Sequence, residues 1–275
     1  MSGRLGRVRV SSFNPYEARF PGRRVVSRDA LHLIKDLRAR GVSVVVEPEN
    51  GTKLNWSTQK GFEEILCPMV VQAVDVTKDV LVGVLAAWLY DRLFRRGCAA
   101  DVKDAADRPP VFIQEQRGAE VSFYDLDGSR VEEGEVRAQL DAARARATEW
   151  GRSLSLKSPD LEECPAPIFL EHTSRVVGWA APSVDDRGLR VKTRIHDDET
   201  WDRVQKGELR GFSVGLLVHG SVCSICGSDY VECNHVSNLE YEDNRCKAHL
   251  TDLDLAEVSI VREPVNPLAV IEAPA

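Results

Sequence analysis

Leu31, Ile34 and Leu37 recur at helical spacing between Ser27 and Gly41, so one face of this stretch is apolar. The pattern predicts a helix over 27–40, opened by Ser27-Arg28-Asp29 and stopped by Gly41. Residues 42–46 follow as an apolar run short enough for a buried strand. Asn50-Gly51 reads as a turn. Beyond Gly61, a short apolar segment leads to a helix predicted over about 77–96. It contains the most apolar run of the chain, 80–90. That run is 11 residues long, against the roughly 20 a membrane-spanning helix needs, so it is expected in a core or a subunit contact.

Residues 97–110 are rich in alanine and aspartate and close on Pro109-Pro110, the composition of a linker. Past it, 111–116 and 121–125 form an expected hairpin. A helix is predicted over 132–150, with Val136, Leu140 and Ala143 on one face. Strands are then expected at 168–172, 175–180 and 189–195, a helix at 199–206, and two further strands around Ser213 and Glu257. The fold class is α+β. A small α+β N-terminal domain (1–97) and a linker (98–110) precede a mostly antiparallel β-barrel domain (111–275) that carries an insertion at 221–249.

Candidate chemistry concentrates in that last part. In Gly211-Phe212-Ser213-Val214-Gly215, strand alternation turns Phe212, Val214 and Leu216 one way and Gly211, Ser213 and Gly215 the other. The glycines are expected to leave the serine face open to an acyl group, with backbone N–H groups at 211–214 near the developing oxyanion. A serine hydroxyl needs a base and an orienting group. His172 ends the apolar run Ile168-Phe169-Leu170-Glu171. Glu257 shares an alternating face with Leu253, Leu255 and Val261, where a carboxylate is costly unless a cation compensates it. His196 and His219 are competing bases, and Asp254 and Glu171 competing orienting groups.

Taken in order, His172, then Leu209-Arg210 leading into the serine pentapeptide, then Leu255-Ala256-Glu257-Val258-Ser259-Ile260-Val261 followed by Pro264, Asn266 and Pro267 resemble the prohead serine protease family of tailed phages. That family is related in fold to the herpesvirus assembly proteases. The likeness spans about 165–275, and Gly178 and the turn Asp186-Arg187-Gly188-Leu189 also suit it. It implies Ser213 as nucleophile, His172 as general base and Glu257 as the member that orients the histidine. It further implies scaffold and capsid proteins as substrates, frequent self-cleavage, action in the host cytoplasm or inside an assembling phage shell and, from the herpesvirus relatives, a homodimer.

The insertion carries a second chemistry. Cys223, Cys226, Cys233, His235, Cys246 and His249 place six soft or borderline ligands within 27 positions. Cys-x2-Cys followed by Cys-x-His has the spacing of a structural zinc site. Cys223, Cys226, Cys233 and His235 are the most compact set, and Cys246 could replace Cys233 or His235. Four protein ligands close the coordination shell, which argues for a zinc staple rather than a zinc-activated water. No secretory leader is read ahead of the cluster, so disulfides are the less favoured reading.

Charge bears on partners. The net charge of −7 argues against non-specific nucleic-acid binding, although residues 1–40 hold ten cations against three anions. Two alternatives to the phage protease stand: a regulated bacterial protease governed by its N-terminal domain, and a catalytically idle zinc-containing binding or assembly module.

Overall fold

The computed structural model describes residues 7–11, 14–47, 52–58, 69–73, 82–83, 111–154 (except 118 and 126), 156 and 166–272 (except 187 and 265). The expected Asn50-Gly51 turn, almost all of the helix over 77–96 and the linker at 98–110 lie outside the described residues.

Helix α1 (Arg28–Ala39) starts and stops on the signals in its sequence. Ser27 Oγ accepts the Ala30 N–H at 3.1 Å, which satisfies one of the orphan donors of the first turn. Gly41 ends it at φ +82°, a conformation that suits a residue without Cβ. Leu31, Ile34 and Leu37 are buried as the spacing requires. Leu33, His32 and Lys35 are buried too, so α1 is enclosed on more than its apolar face.

Strands β1 (Arg7–Ser11), β3 (Ser43–Glu47), β5 (Met69–Ala73), β6 (Val111–Arg117), β7 (Glu120–Tyr124) and β8 (Arg130–Val131) form a six-stranded sheet in the order β3-β1-β5-β6-β7-β8. The expected hairpin is β6 with β7. Helix α2 (Glu133–Ser153) packs Val136 and Leu140 against Phe112 of this sheet.

The second sheet has seven strands. Among the described residues its members are β2 (Arg24–Ser27), β4 (Leu54–Ser57), β9 (Ala166–Leu170), β10 (Val176–Asp185), β11 (Gly188–Ile195), β12 (Gly211–Cys223) and β15 (Ala248–Val261), in the order β11-β10-β9-β15-β12-β4-β2; β13 (Glu240–Tyr241) and β14 (Asn244–Arg245) pair as a short hairpin within the insertion. The expected β-barrel is not what these strands build. Among the described residues the sheet stays open, with β11 and β2 at its edges, because β4 takes the outer flank of β12 that a closing strand would need. Both sheets combine strands from before residue 97 with strands from after residue 110. One hydrophobic cluster draws on α1, on Val8 and Ile113 of the first sheet, on Trp56 and Val218 of the second, and on Cys223 and Cys246.

Helix α3 (Asp198–Gln205) packs Val204 with Ile168, Val177 and Ile260 on one face of the seven-stranded sheet. Its N-cap Asp197 accepts from Thr200 N at 2.8 Å and from Arg175 Nη2 at 2.7 Å. Hydrogen bonds from Thr200 and Arg175 hold the Asp197 carboxyl at about 2. Asp197→Ala is therefore expected to cost about 1 kcal/mol at neutral pH, the usual value of an N-cap. A depressed folded pKa stabilises above the unfolded value near 4 and loses that contribution as pH falls through the folded one. Urea melts of the two proteins should accordingly differ at pH 7 and converge between about pH 4 and pH 2.

Candidate active site and metal centre

The central element of the site is the long hairpin of β12 and β15, which pair from Gly211 with Val261 to Cys223 with Ala248. β9 lies parallel on the far side of β15, with Ile168 opposite Val258 and Leu170 opposite Ile260. In this register Ser213 is directly across from Ser259, and Gly215 across from Glu257. Cross-strand partners point to the same face, so Ser213, Ser259 and Glu257 share one side of the sheet.

His172 was expected to close a strand, but β9 ends at Leu170. Glu171 and His172 both take left-handed backbone conformations, φ 46° and 63°. That costs each of them on the order of 1 kcal/mol. The turn holds them there through Glu171 N–H to Ile260 O at 2.8 Å and Thr173 N–H to Leu170 O at 2.9 Å. Glu171 also pairs with Arg203 and Arg262, both at 3.1 Å. The reversal brings His172 Nδ1 to 2.5 Å from Glu257 Oε1, across the sheet rather than along it. The Glu257 side chain is 0% exposed and that of His172 11%. A carboxylate so buried is tolerable when a cation can form beside it, and an imidazolium meets that need. With Nδ1 engaged, Nε2 is the nitrogen left for a second partner.

Ser259 is a site residue that the sequence reading did not single out. Its side chain is fully buried and its Oγ donates to Glu257 Oε1 at 3.4 Å. Glu257 Oε2 is buried with no hydrogen-bond partner among the described residues. The alternation that paired Ser259 with Glu257 on one face was the available signal. Beside Glu257 lies a cavity of about 170 Å³ lined by Arg19, Phe20, Pro182 and Asp254 among others.

The competing groups are engaged elsewhere. His219 Nε2 lies 2.6 Å from Asp254 Oδ2, and its Nδ1 lies 2.7 Å from Asn55 Oδ1. Asn55 donates its amide hydrogens to Arg24 O and Lys53 O, so its Oδ1 is left to accept. Both nitrogens of His219 thus face acceptors and neither is placed to take a serine proton. His196 is exposed beside Trp179, and Glu171 is taken by its arginines.

The expected open space over the glycines is a further correction. Gly211 and Gly215 are buried. A Cβ on Gly211 would meet Ala269 O at 2.4 Å and Pro264 Cγ at 2.6 Å, so this glycine makes room for the chain beyond β15. Phe212 N–H donates to Ala269 O at 2.9 Å, which removes it from the expected oxyanion donors. By strand alternation the Val214 N–H points to the same side. Ser213 is half-buried, and among the described residues its hydroxyl makes no hydrogen bond, to His172 or to any other group.

The metal candidates gather at the other end of the hairpin. One ligand atom each from Cys223, Cys226, Cys233 and His235 lies within 4.8 Å of all the others. The knuckle turn is closed by Gly227, at φ 70°, donating to Cys223 O at 2.9 Å. All four cysteines of the insertion are free. Among the described residues His235 Nδ1 is buried without a hydrogen-bond partner, and its ring meets Tyr241 edge-on at 4.7 Å. Three thiols and an orphaned imidazole nitrogen so close together fit a tetrahedral zinc ion. Cys246 stands beside this set, its Sγ 3.8 Å from Cys223 Sγ. Burial and the Cys223 sulfur push the Cys246 thiol up to about 12. Burial acts against the Cys223 thiolate too, yet backbone N–H groups of Cys226 and Ile225 bring that thiol down to about 7. His249, on β15, is exposed and outside the group. Cys223 lies ten positions after Ser213 on β12, about 30 Å at strand rise.

Among the described residues no helix is long and apolar enough to cross a membrane. Residues 167–275 match the family model of the caudovirus prohead serine protease, which bears out the resemblance drawn from the sequence. No curated protein and no solved structure matches the chain.

Proposed function

We propose that this chain is a serine endopeptidase of the prohead maturation type, acting through Ser213, His172 and Glu257. The observation that carries the reading is the 2.5 Å contact from His172 Nδ1 to a fully buried Glu257, on the sheet face that also bears Ser213. The family match over the same residues supports it. His172 Nε2 takes the Ser213 proton as Oγ attacks the scissile carbonyl, and Glu257 stabilises the imidazolium that results. The Val214 N–H, on the same strand side as the occupied Phe212 N–H, is the oxyanion donor in this reading. His172 then returns the proton to the leaving amine.

Cys223, Cys226, Cys233 and His235 hold a structural zinc ion in this reading, with Cys246 in reserve beside them. When bound, the ion crosslinks the end of the hairpin. Substrates are scaffold and capsid-like proteins, and the chain itself, cut in the host cytoplasm or inside an assembling shell by a homodimer. A regulatory role for the N-terminal part is a second reading. It is favoured by Arg19 donating to Ala256 O at 2.9 Å, and by Tyr16 packing with Phe169 and Leu217, next to the strands that carry the site.

Intact-mass analysis of wild type and Ser213→Ala, with and without a fluorophosphonate, tests the assignment. One adduct on wild type and none on the variant is the expected result, and fragment masses locate self-cleavage. A folded, zinc-loaded wild type that gains no adduct and yields no fragments overturns it.

A further inference from the structure

The ammonium group of Lys35 occupies an unusual place. Lys35 lies within α1, and its side chain is fully buried. Nζ donates to the carbonyl oxygens of Tyr230, Cys233 (3.0 Å) and His235 (2.8 Å). It also lies 3.3 Å from Cys233 Sγ and 3.5 Å from the centre of the Tyr230 ring. Residues 230–235, the stretch that delivers two of the four candidate ligands, thus wrap around one cation supplied by a helix about 200 positions earlier in the chain.

A buried ammonium is costly unless an opposite charge lies close by. Carbonyl dipoles satisfy its hydrogens but not its charge. A divalent ion bound by three thiolates and one neutral imidazole carries one net negative charge, and the Cys233 sulfur presents it directly to Nζ. We infer that Lys35 belongs to the metal centre as the outer partner of the Cys233 thiolate, neutralising the loaded site and making α1 part of it. The inference rests on the zinc reading above. The surrounding contacts agree: Arg38 Nη1 donates to Val231 O at 2.9 Å and Arg28 Nη2 to Ser237 Oγ at 3.4 Å, so one side of α1 is dedicated to the insertion. Metal loading then governs whether α1 stays docked.

Two measurements on the full chain test this. In the first, Lys35→Met keeps the apolar stem and removes the charge. Zinc affinity, read by competition with a chromophoric chelator, is expected to weaken by about 10- to 100-fold, and the thiolate-to-cobalt absorption band of the cobalt-substituted protein is expected to shift. A folded variant whose affinity stays within about twofold of wild type and whose band is unmoved overturns the role of Lys35. In the second, wild type is compared with and without zinc by hydrogen exchange, which holds even if the variant does not fold. Removal should speed exchange over 28–39 and leave 133–153 unchanged; unchanged protection of 28–39 overturns the coupling. A wild type that binds no zinc fails the zinc reading itself, and the inference with it.

Discussion

Glu257→Gln is expected to slow fluorophosphonate labelling of Ser213 by about 10³- to 10⁴-fold, the usual cost of neutralising the third member of a serine triad. The reason is local. Glu257 is sealed from solvent and touches His172 Nδ1 at 2.5 Å. Glutamine keeps the volume, but it removes the charge that stabilises the imidazolium and can donate to Nδ1, which selects the tautomer with hydrogen on Nε2. That nitrogen would then have no lone pair for the serine proton. Asp254→Asn is the matched control, since Asp254 serves His219 instead, and labelling should stay near the wild-type rate. A Glu257→Gln labelling rate within about tenfold of wild type would remove Glu257 from the relay.

The second large effect is on stability. Stripping zinc with a chelator under reducing conditions should lower Tm by about 10 °C or more, or roughly 4 kcal/mol at 2–4 °C per kcal/mol for a chain of this size. Structural zinc in small modules is worth more than this. Here the long backbone pairing of β12 with β15, from Gly211 to Cys223, is expected to limit the loss. Because the cluster is about 30 Å of strand away from Ser213, labelling of the stripped protein well below its Tm should be nearly unchanged. Calorimetry and labelling on the same sample separate the outcomes. An unshifted Tm would deny the ion a structural role, and labelling lost while the sheet is intact would give it a catalytic one.

The local elements were legible because their signals are local. Ser27 and Gly41 bound α1, and Val136, Leu140 and Ala143 mark the buried face of α2. The knuckle was legible from spacing alone, since Cys-x2-Cys and Cys-x-His constrain their sulfur and nitrogen atoms within a few residues. The burial of Lys35 and His32 was not legible, because the segment that encloses them comes about 200 residues later. The open sheet was equally hidden. Whether strands close a barrel depends on which edges are taken, and the pairing of β4 with β12 joins residues about 160 positions apart.

Residue order alone was enough to name the side chains able to do chemistry: a serine between glycines, a histidine after an apolar run, a glutamate on an apolar strand face and a cysteine knuckle. Which of them meet was set by contacts between residues far apart in the chain. His172 reaches Glu257 because the chain leaves β9 one residue before Glu171 and reverses through two left-handed residues beside β15. His219 was withdrawn from the same role by Asn55, which arrives on β4. The space read over Gly211 was filled by Pro264 and Ala269. Periodicity reports which face a residue occupies; strand order and register decide what lies opposite it.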